Sequence, residues 1–207
     1  MAKQFVLAST SKARVEILND SGIEYALVPN TLDEEQEKVK LKDSQRLTID
    51  EVINYVKRLS MLKGKTIINE VSDSIIVSAD SVIYFEGEML EKPKNIEEAR
   101  VMLNKLSGNV HKAITGVTLI DTEGQEPINY ACITDVKMEK IDDKFLEHLL
   151  TLNDTYTHAG GYNIDGELYS KIEILEGYFD NGKGLPLQNI LSVLESSLGF
   201  IPNKKSK

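Results

Sequence analysis

A fold of the α/β class with a mixed, twisted sheet is what this sequence predicts, and three observations carry that reading. Short apolar runs suited to buried strands alternate with stretches whose apolar residues recur at three and four, the helical spacing. Two strand-like stretches, Lys112 to Ile120 and Ile128 to Met138, follow each other across a turn at Gly124, a hairpin that an all-parallel sheet does not contain. With 207 residues and 41% hydrophobic positions, the chain can bury a sizeable core, as one large domain or as two lobes sharing it.

The elements follow in order. Phe5 to Ala8 reads as a short buried strand, after which Ser9, Thr10 and Ser11 offer helix-capping hydroxyls ahead of Val15, Ile17, Leu18 and the stop at Gly22. A second strand is expected at Tyr25 to Val28, ended by Pro29. The acidic stretch after it (Asp33, Glu34, Glu35, Glu37) reads as a loop. From Ile49 through Leu62 the period is helical, with Asp50 and Glu51 in the first turn, where the helix dipole favours them. Ile75-Ile76-Val77 reads as a strand buried on both faces that ends at Ala79-Asp80 and delivers a carboxylate at its carboxyl end. Asn95 and Glu98 have capping-box spacing and open a helix to Leu106. The hairpin comes next, then a helix over Asp142 to Leu152, a glycine-containing loop over Thr155 to Gly166, a strand ending at Leu175 and a last helix over Leu187 to Leu198. Residues 203–207, rich in lysine, read as a disordered, solvated tail.

Composition removes several classes of function. A formal net charge of -9 works against docking of a nucleic-acid polymer, which needs clustered lysine and arginine, but does not exclude a small nucleotide held by a few local cations and a divalent metal. The single cysteine, Cys132, offers neither a disulfide framework nor a zinc site and reads as a small buried hydrophobe. No apolar run approaches the ~20 residues that span a bilayer, so no membrane is expected and a cytoplasmic location is.

Four constellations could carry chemistry. In LASTSKAR, Leu7 to Arg14, a strand ends in three hydroxyls and enters a helix carrying Lys12 and Arg14 in its first turn; such a start is either a plain cap or a cradle for phosphate. Asp80 is either a metal ligand or proton acceptor, or a turn cap. In Glu91-Lys92-Pro93 the proline restricts the residue before it and so fixes a cation, unless the lysine is only a surface one. GYFDNGK, Gly177 to Lys183, has the G-x-x-x-x-G-K spacing of a Walker A loop, but Gly184 stands where that loop needs a hydroxyl for magnesium. His111 and His158, with no third partner at metal-type spacing, read as loop hydrogen-bonders, and Tyr156 and Tyr162 as packed loop aromatics or as rings that stack on a base.

Taken together and in order, these segments resemble the Maf family, nucleotide pyrophosphatases also known from inhibition of bacterial septum formation. LASTSKAR resembles the family's opening L-A-S-x-S-P-R-R, SADS (Ser78 to Ser81) its G-A-D-T, and LEKP (Leu90 to Pro93) its lysine turn. LSGNVH (Leu106 to His111), Thr115-Gly116, AGGYNIDG (Ala159 to Gly166) and GLPL (Gly184 to Leu187) follow in register, so the likeness runs from Gln4 to Phe200. The resemblance implies a fold similar to that of inosine triphosphate pyrophosphatases, one domain over residues 1–207 with two lobes around a central cleft. It implies a divalent cation (magnesium, manganese or cobalt) and hydrolysis of a nucleoside triphosphate to its monophosphate and pyrophosphate. By position it makes Asp80 the catalytic carboxylate and a metal ligand. Glu34 becomes a second metal-side carboxylate, and Ser9, Ser11, Arg14, Lys63, Ser81, Lys92 and Asp165 become substrate-binding positions. A homodimer is the family expectation, and the Walker-like string becomes a coincidence.

Three positions depart from the family's thymidine- and uridine-triphosphate pattern: Lys12-Ala13 stands where that subgroup has proline and its first arginine, Ser81 where it has threonine, and Asp165 where it has glutamine. A carboxylate accepts hydrogen bonds without donating, so Asp165 facing a base would suit adjacent N–H donors such as those of guanine. The subgroup for 7-methylguanosine triphosphate carries an acidic residue near here, but its opening-motif tryptophan is missing from this sequence. The competing readings are a nucleotide-binding regulator with little turnover on the same fold and, behind it, a P-loop phosphotransferase.

Overall fold

The computed structural model describes residues 3–38, 46–124 and 126–205. Among these described residues, seven strands form one mixed sheet: β1 (Gln4–Leu7), β2 (Ala26–Leu27), β3 (Ser74–Phe85), β4 (Glu88–Leu90), β5 (Val110–Asp121), β6 (Ile128–Met138) and β7 (Ile172–Glu176). Their order is β2-β1-β3-β5-β6-β7, with β4 folded back onto the far end of β3. β1 runs parallel to its neighbours β2 and β3, and the other pairings are antiparallel. The predicted mixed α/β architecture is therefore present.

Eight α-helices among the described residues accompany the sheet: α1 (Lys12–Ser21), α2 (Glu34–Lys38), α3 (Ile49–Thr66), α4 (Ile96–Leu106), α5 (Asp143–Leu150), α6 (Asp154–Thr157), α7 (Phe179–Gly182) and α8 (Leu187–Leu198). α3 is set at its start by a full capping box, in which Thr48 Oγ1 accepts from the Glu51 amide and the Glu51 carboxylate accepts from the Thr48 amide. Asn95 likewise accepts from the Glu98 amide to open α4, as its spacing predicts. One core joins Phe5, Leu7, Ile75 and Val77 of the sheet to Leu18 of α1 and to Ile190 and Leu194 of α8. Another gathers Leu103, Leu106, Leu146, Tyr162 and Ile164 around α4 and α5.

α3 crosses the sheet closely enough that Gly116 of β5 has no room for a side chain: a Cβ there would lie 2.2 Å from the Val56 carbonyl oxygen. The glycine of the Thr115-Gly116 motif is thus a packing requirement between helix and strand.

Four expectations are corrected. The strand that was to end at Asp80 runs on to Phe85, because Val82 and Ile83 resume the apolar run, so Asp80 stands in the middle of a 12-residue strand. The acidic stretch expected as loop holds α2. His111 lies in β5 and not in a loop. Finally, part of the expected solvated tail is paired: Asn203 accepts from the Glu24 amide, Lys204 bridges Ile23, and the Lys205 amide donates to Gly22. Residues 206 and 207 of that tail lie outside the described residues.

Candidate functional site

The residue at the centre is Asp80, only 6% exposed and paired in register with Gly116. Its Oδ1 accepts from Lys63 Nζ at 2.5 Å, and the same ammonium lies 2.9 Å from Glu34 Oε1. The last turn of α3 thus lays one cation between two carboxylates, one on the sheet and one on α2. Burial holds the Asp80 carboxyl above its ordinary value; Lys63 and then Arg14 pull it the other way, and Glu34 adds to the rise.

Arg14, in the first turn of α1, is buried. Its Nε donates to the Gly184 carbonyl at 2.8 Å and one terminal nitrogen to Ser81 Oγ at 2.9 Å. Burial lowers its pKa, yet a guanidinium keeps its charge in a protein, and two of its five N–H groups are accounted for by these bonds. Ser81, next to Asp80 on β3, also shares a 3.0 Å hydrogen bond with Thr115 and donates to Gly184 at 3.2 Å.

Ser9 is buried and its Oγ accepts from the Ser11 amide at 3.0 Å. Ser11 occupies the N-cap position of α1, but its side chain makes no capping bond, and of the two readings left open for these hydroxyls, cap or cradle, they line an open cleft. That cleft is bounded by Ser9 to Ser11, Arg14, Glu34, Lys63, Asp80, Ser81 and Lys92. Lys92 stands on its rim; desolvation of its amine, followed by the neighbouring charge of Arg14, lowers its pKa.

Of the sequence-predicted site residues, all of them described, only Asp165 does not line the cleft. Its Oδ2 instead lies 2.5 Å from Lys183 Nζ, and Lys183 does line it. Sequence reasoning missed Lys183, Asn181, Thr115, Glu91 and Asn30 as site residues, though all of them border the cleft. Thr115 could have been found from its place beside Gly116 and opposite Ser81. Asn30 carries no pattern in the sequence.

The Walker-like string forms no phosphate-cradling loop, because α7 is a four-residue helix inside it and the next helix begins only at Leu187. His158 is a loop hydrogen-bonder, with Nδ1 3.0 Å from both the Asp154 carbonyl and Thr157 Oγ1. His111 is 2% exposed, shares a 2.6 Å hydrogen bond through Nε2 with the Tyr162 hydroxyl, and is pushed down to about 4 by burial. Cys132 is buried, and burial followed by the charge of Asp180 pushes its thiol up to about 11, as suits an inert structural thiol.

Among the described residues no group of three or more His, Cys, Asp or Glu gathers as a metal cage. Asp80 and Glu34 nevertheless converge on a single cationic atom, and two hard carboxylate oxygens suit a small divalent ion that takes its other ligands from water and phosphate oxygens. The donor set fits such an ion. No helix among the described residues is long and apolar enough to cross a membrane.

Fold and cleft together define a class: a mixed α/β protein whose helix start, buried carboxylate and convergent cations form a cleft suited to a compact polyanion. Within it, the chain belongs to the family described as Maf-like protein, which matches residues 4–197. It is similar to a dTTP/UTP pyrophosphatase of Clostridium perfringens (strain 13 / Type A), 33% identical over 195 residues that cover 92% of this chain and 95% of that protein. A dTTP/UTP pyrophosphatase of Pyrococcus horikoshii is 34% identical over 203 residues, covering 96% and 98%. Among solved structures, the Staphylococcus aureus Ham1 protein superposes with a TM-score of 0.48 and 13% identity, over 95% of this chain and 98% of that one.

Proposed function

We propose that this protein is a nucleoside triphosphate pyrophosphatase, hydrolysing its substrate to the nucleoside monophosphate and pyrophosphate. The observation that carries the reading is the meeting of Asp80, Lys63, Arg14 and Lys92 in one cleft at the start of α1. Relatives named as pyrophosphatases support it over nearly the whole chain.

In this reading Arg14 and Lys92 bind phosphate oxygens, joined by the hydroxyls of Ser9 and Ser11 and the free amides of the first turn of α1. Asp80 orients a water molecule and accepts its proton as the water oxygen attacks the α-phosphorus; the bond from that phosphorus to the bridging oxygen breaks, and pyrophosphate leaves. Lys63 keeps the Asp80 and Glu34 carboxylates together and offsets their mutual repulsion. A divalent cation held by Asp80 and Glu34 supplies charge neutralisation and a more acidic water. The protein's contribution is then positioning and preorganised charge. A cytoplasmic homodimer completes the proposal, and its oligomeric state is read by sedimentation.

The test is pyrophosphate release across ordinary and modified nucleoside triphosphates with magnesium, manganese and cobalt. Asp80→Asn is expected to cut turnover by about a hundredfold or more while leaving the circular dichroism spectrum unchanged. Near-normal release by that variant rejects the assignment. Lys183→Ala serves as the contrast, since a P-loop enzyme would lose all activity with it while tolerating Asp80→Asn.

A further inference from the structure

We infer that Thr115 is a positioning residue, acting through the Ser81 hydroxyl and the Gly184 carbonyl to aim the Arg14 guanidinium at a bound polyanion, and that Ser81 serves this relay and does not read the base. The inference rests on the nucleotide reading above and deepens it, by assigning two side chains of that site to one of its cations.

The count of hydrogens at Ser81 is decisive. Thr115 of β5 is fully buried and stands opposite Ser81 of β3 in register, so the two hydroxyls share one face of the sheet, 3.0 Å apart. Ser81 Oγ takes a hydrogen from Arg14 at 2.9 Å and gives its own to the Gly184 carbonyl at 3.2 Å. Its single hydrogen being committed, the Thr115 hydroxyl is the donor of the pair and Ser81 accepts from it. A serine hydroxyl has one donor and two acceptor positions, and all three are then filled by protein. Nothing is left over for a substrate group.

The Gly184 carbonyl also accepts from Arg14 Nε at 2.8 Å, so Arg14, Ser81 and Gly184 close a ring of hydrogen bonds. Gly184 is itself pinned: its amide donates to the Asn181 carbonyl at 2.9 Å, and the buried Asn181 donates through Nδ2 to the Ala113 carbonyl at 3.1 Å. Its φ of +97° lies in the region that favours glycine, and a Cβ there would sit 3.3 Å from Ser81 Oγ. Both of these acceptors of Arg14 are neutral, although the charges of Asp80 and Glu34 reach it. The guanidinium is thus held by two of its five N–H groups without its charge being spent on a carboxylate, and three remain for phosphate oxygens. Without the relay, Arg14 is free to turn toward Asp80 and away from the ligand.

The experiment measures affinity for inorganic pyrophosphate by calorimetry with magnesium, alongside kcat/KM for uridine, guanosine and adenosine triphosphates. Thr115→Val keeps the shape and removes the hydroxyl; it is expected to weaken pyrophosphate binding about fivefold, the size of one hydrogen bond, and Thr115→Ser to restore most of it. Ser81→Ala is expected to weaken binding roughly tenfold or more, since the bond it removes has a charged donor, and to lower kcat/KM for the three nucleotides by one common factor. In an Arg14→Ala background neither substitution is expected to have a further effect, a dependence that a merely structural role would not produce. Unaltered affinity in Thr115→Val, an equal loss in the Arg14→Ala background, or a changed ratio among the nucleotides in Ser81→Ala overturns the inference. Pyrophosphate binding with the expected pattern but no hydrolysis of any nucleotide sinks the enzymatic proposal and leaves this one standing. Wild type that binds no pyrophosphate overturns the inference, and if it also hydrolyses no nucleotide, both readings fall.

Discussion

His111 makes the stability of this protein depend on pH in a way that one substitution can isolate. The imidazole is buried in β5 against Tyr162, and burial pushes its pKa from 6.5 down to about 4. In the unfolded chain the ring protonates first, so between those two values the unfolded state holds more protons and stability rises with pH. Stability from this group is full above 6.5 and is lost as pH falls toward 4. The whole depression corresponds to about 3 kcal/mol, of which roughly 2 kcal/mol is lost between about pH 7 and pH 5. His111→Gln keeps a polar partner for the Tyr162 hydroxyl and does not titrate. Urea unfolding of both proteins at the two pH values gives the difference directly: wild type is expected to lose about 2 kcal/mol more than the variant. If the two lose equal stability over that span, the buried neutral histidine is not what couples folding to protons here.

Further outcomes follow from other contacts. Lys63→Met leaves Asp80 and Glu34 without the cation between them and is expected to lower stability by roughly 3 kcal/mol, read by thermal melting. Gly116→Ala drives a methyl group into the Val56 carbonyl and is expected to cost about 2 kcal/mol or more, with α3 displaced and activity lost together. Thr48→Ala removes the reciprocal cap of α3 and is expected to cost about 1 kcal/mol in urea unfolding, with pyrophosphate release unaffected.

Much of the fold was legible because local signals agreed with one another. The bounds of α8 match the expected Leu187 to Leu198, and Asn95 with Glu98 marks the start of α4, since both have an uninterrupted helical period beside an unambiguous boundary. The expectation for β3 stopped at Ala79-Asp80, but the polar residues Ser78, Asp80 and Ser81 lie inside the strand. Their polarity is satisfied across the chain, Ser78 by the Ser60 carbonyl and Asp80 by Lys63, and partners so distant in sequence leave no local mark. The same reason explains the site: the residues of the opening motif and the lysine turn were readable as motifs, but the pairing of Lys183 with Asp165 joins two segments whose approach only the folded chain reveals. In LASTSKAR, which left a plain cap and a phosphate cradle both open, Ser11 makes no cap bond and its hydroxyl lines the cleft.

Asp80 lies at the midpoint of a strand locked into the sheet by its β5 neighbour, while Lys92, Lys183 and the segment around Ala159 belong to connections between elements. The carboxylate at position 80 therefore has almost no freedom to travel, and any tightening around a bound molecule has to come from the surrounding connections. For a designer, the rim is the part to vary and the strand the part to leave alone.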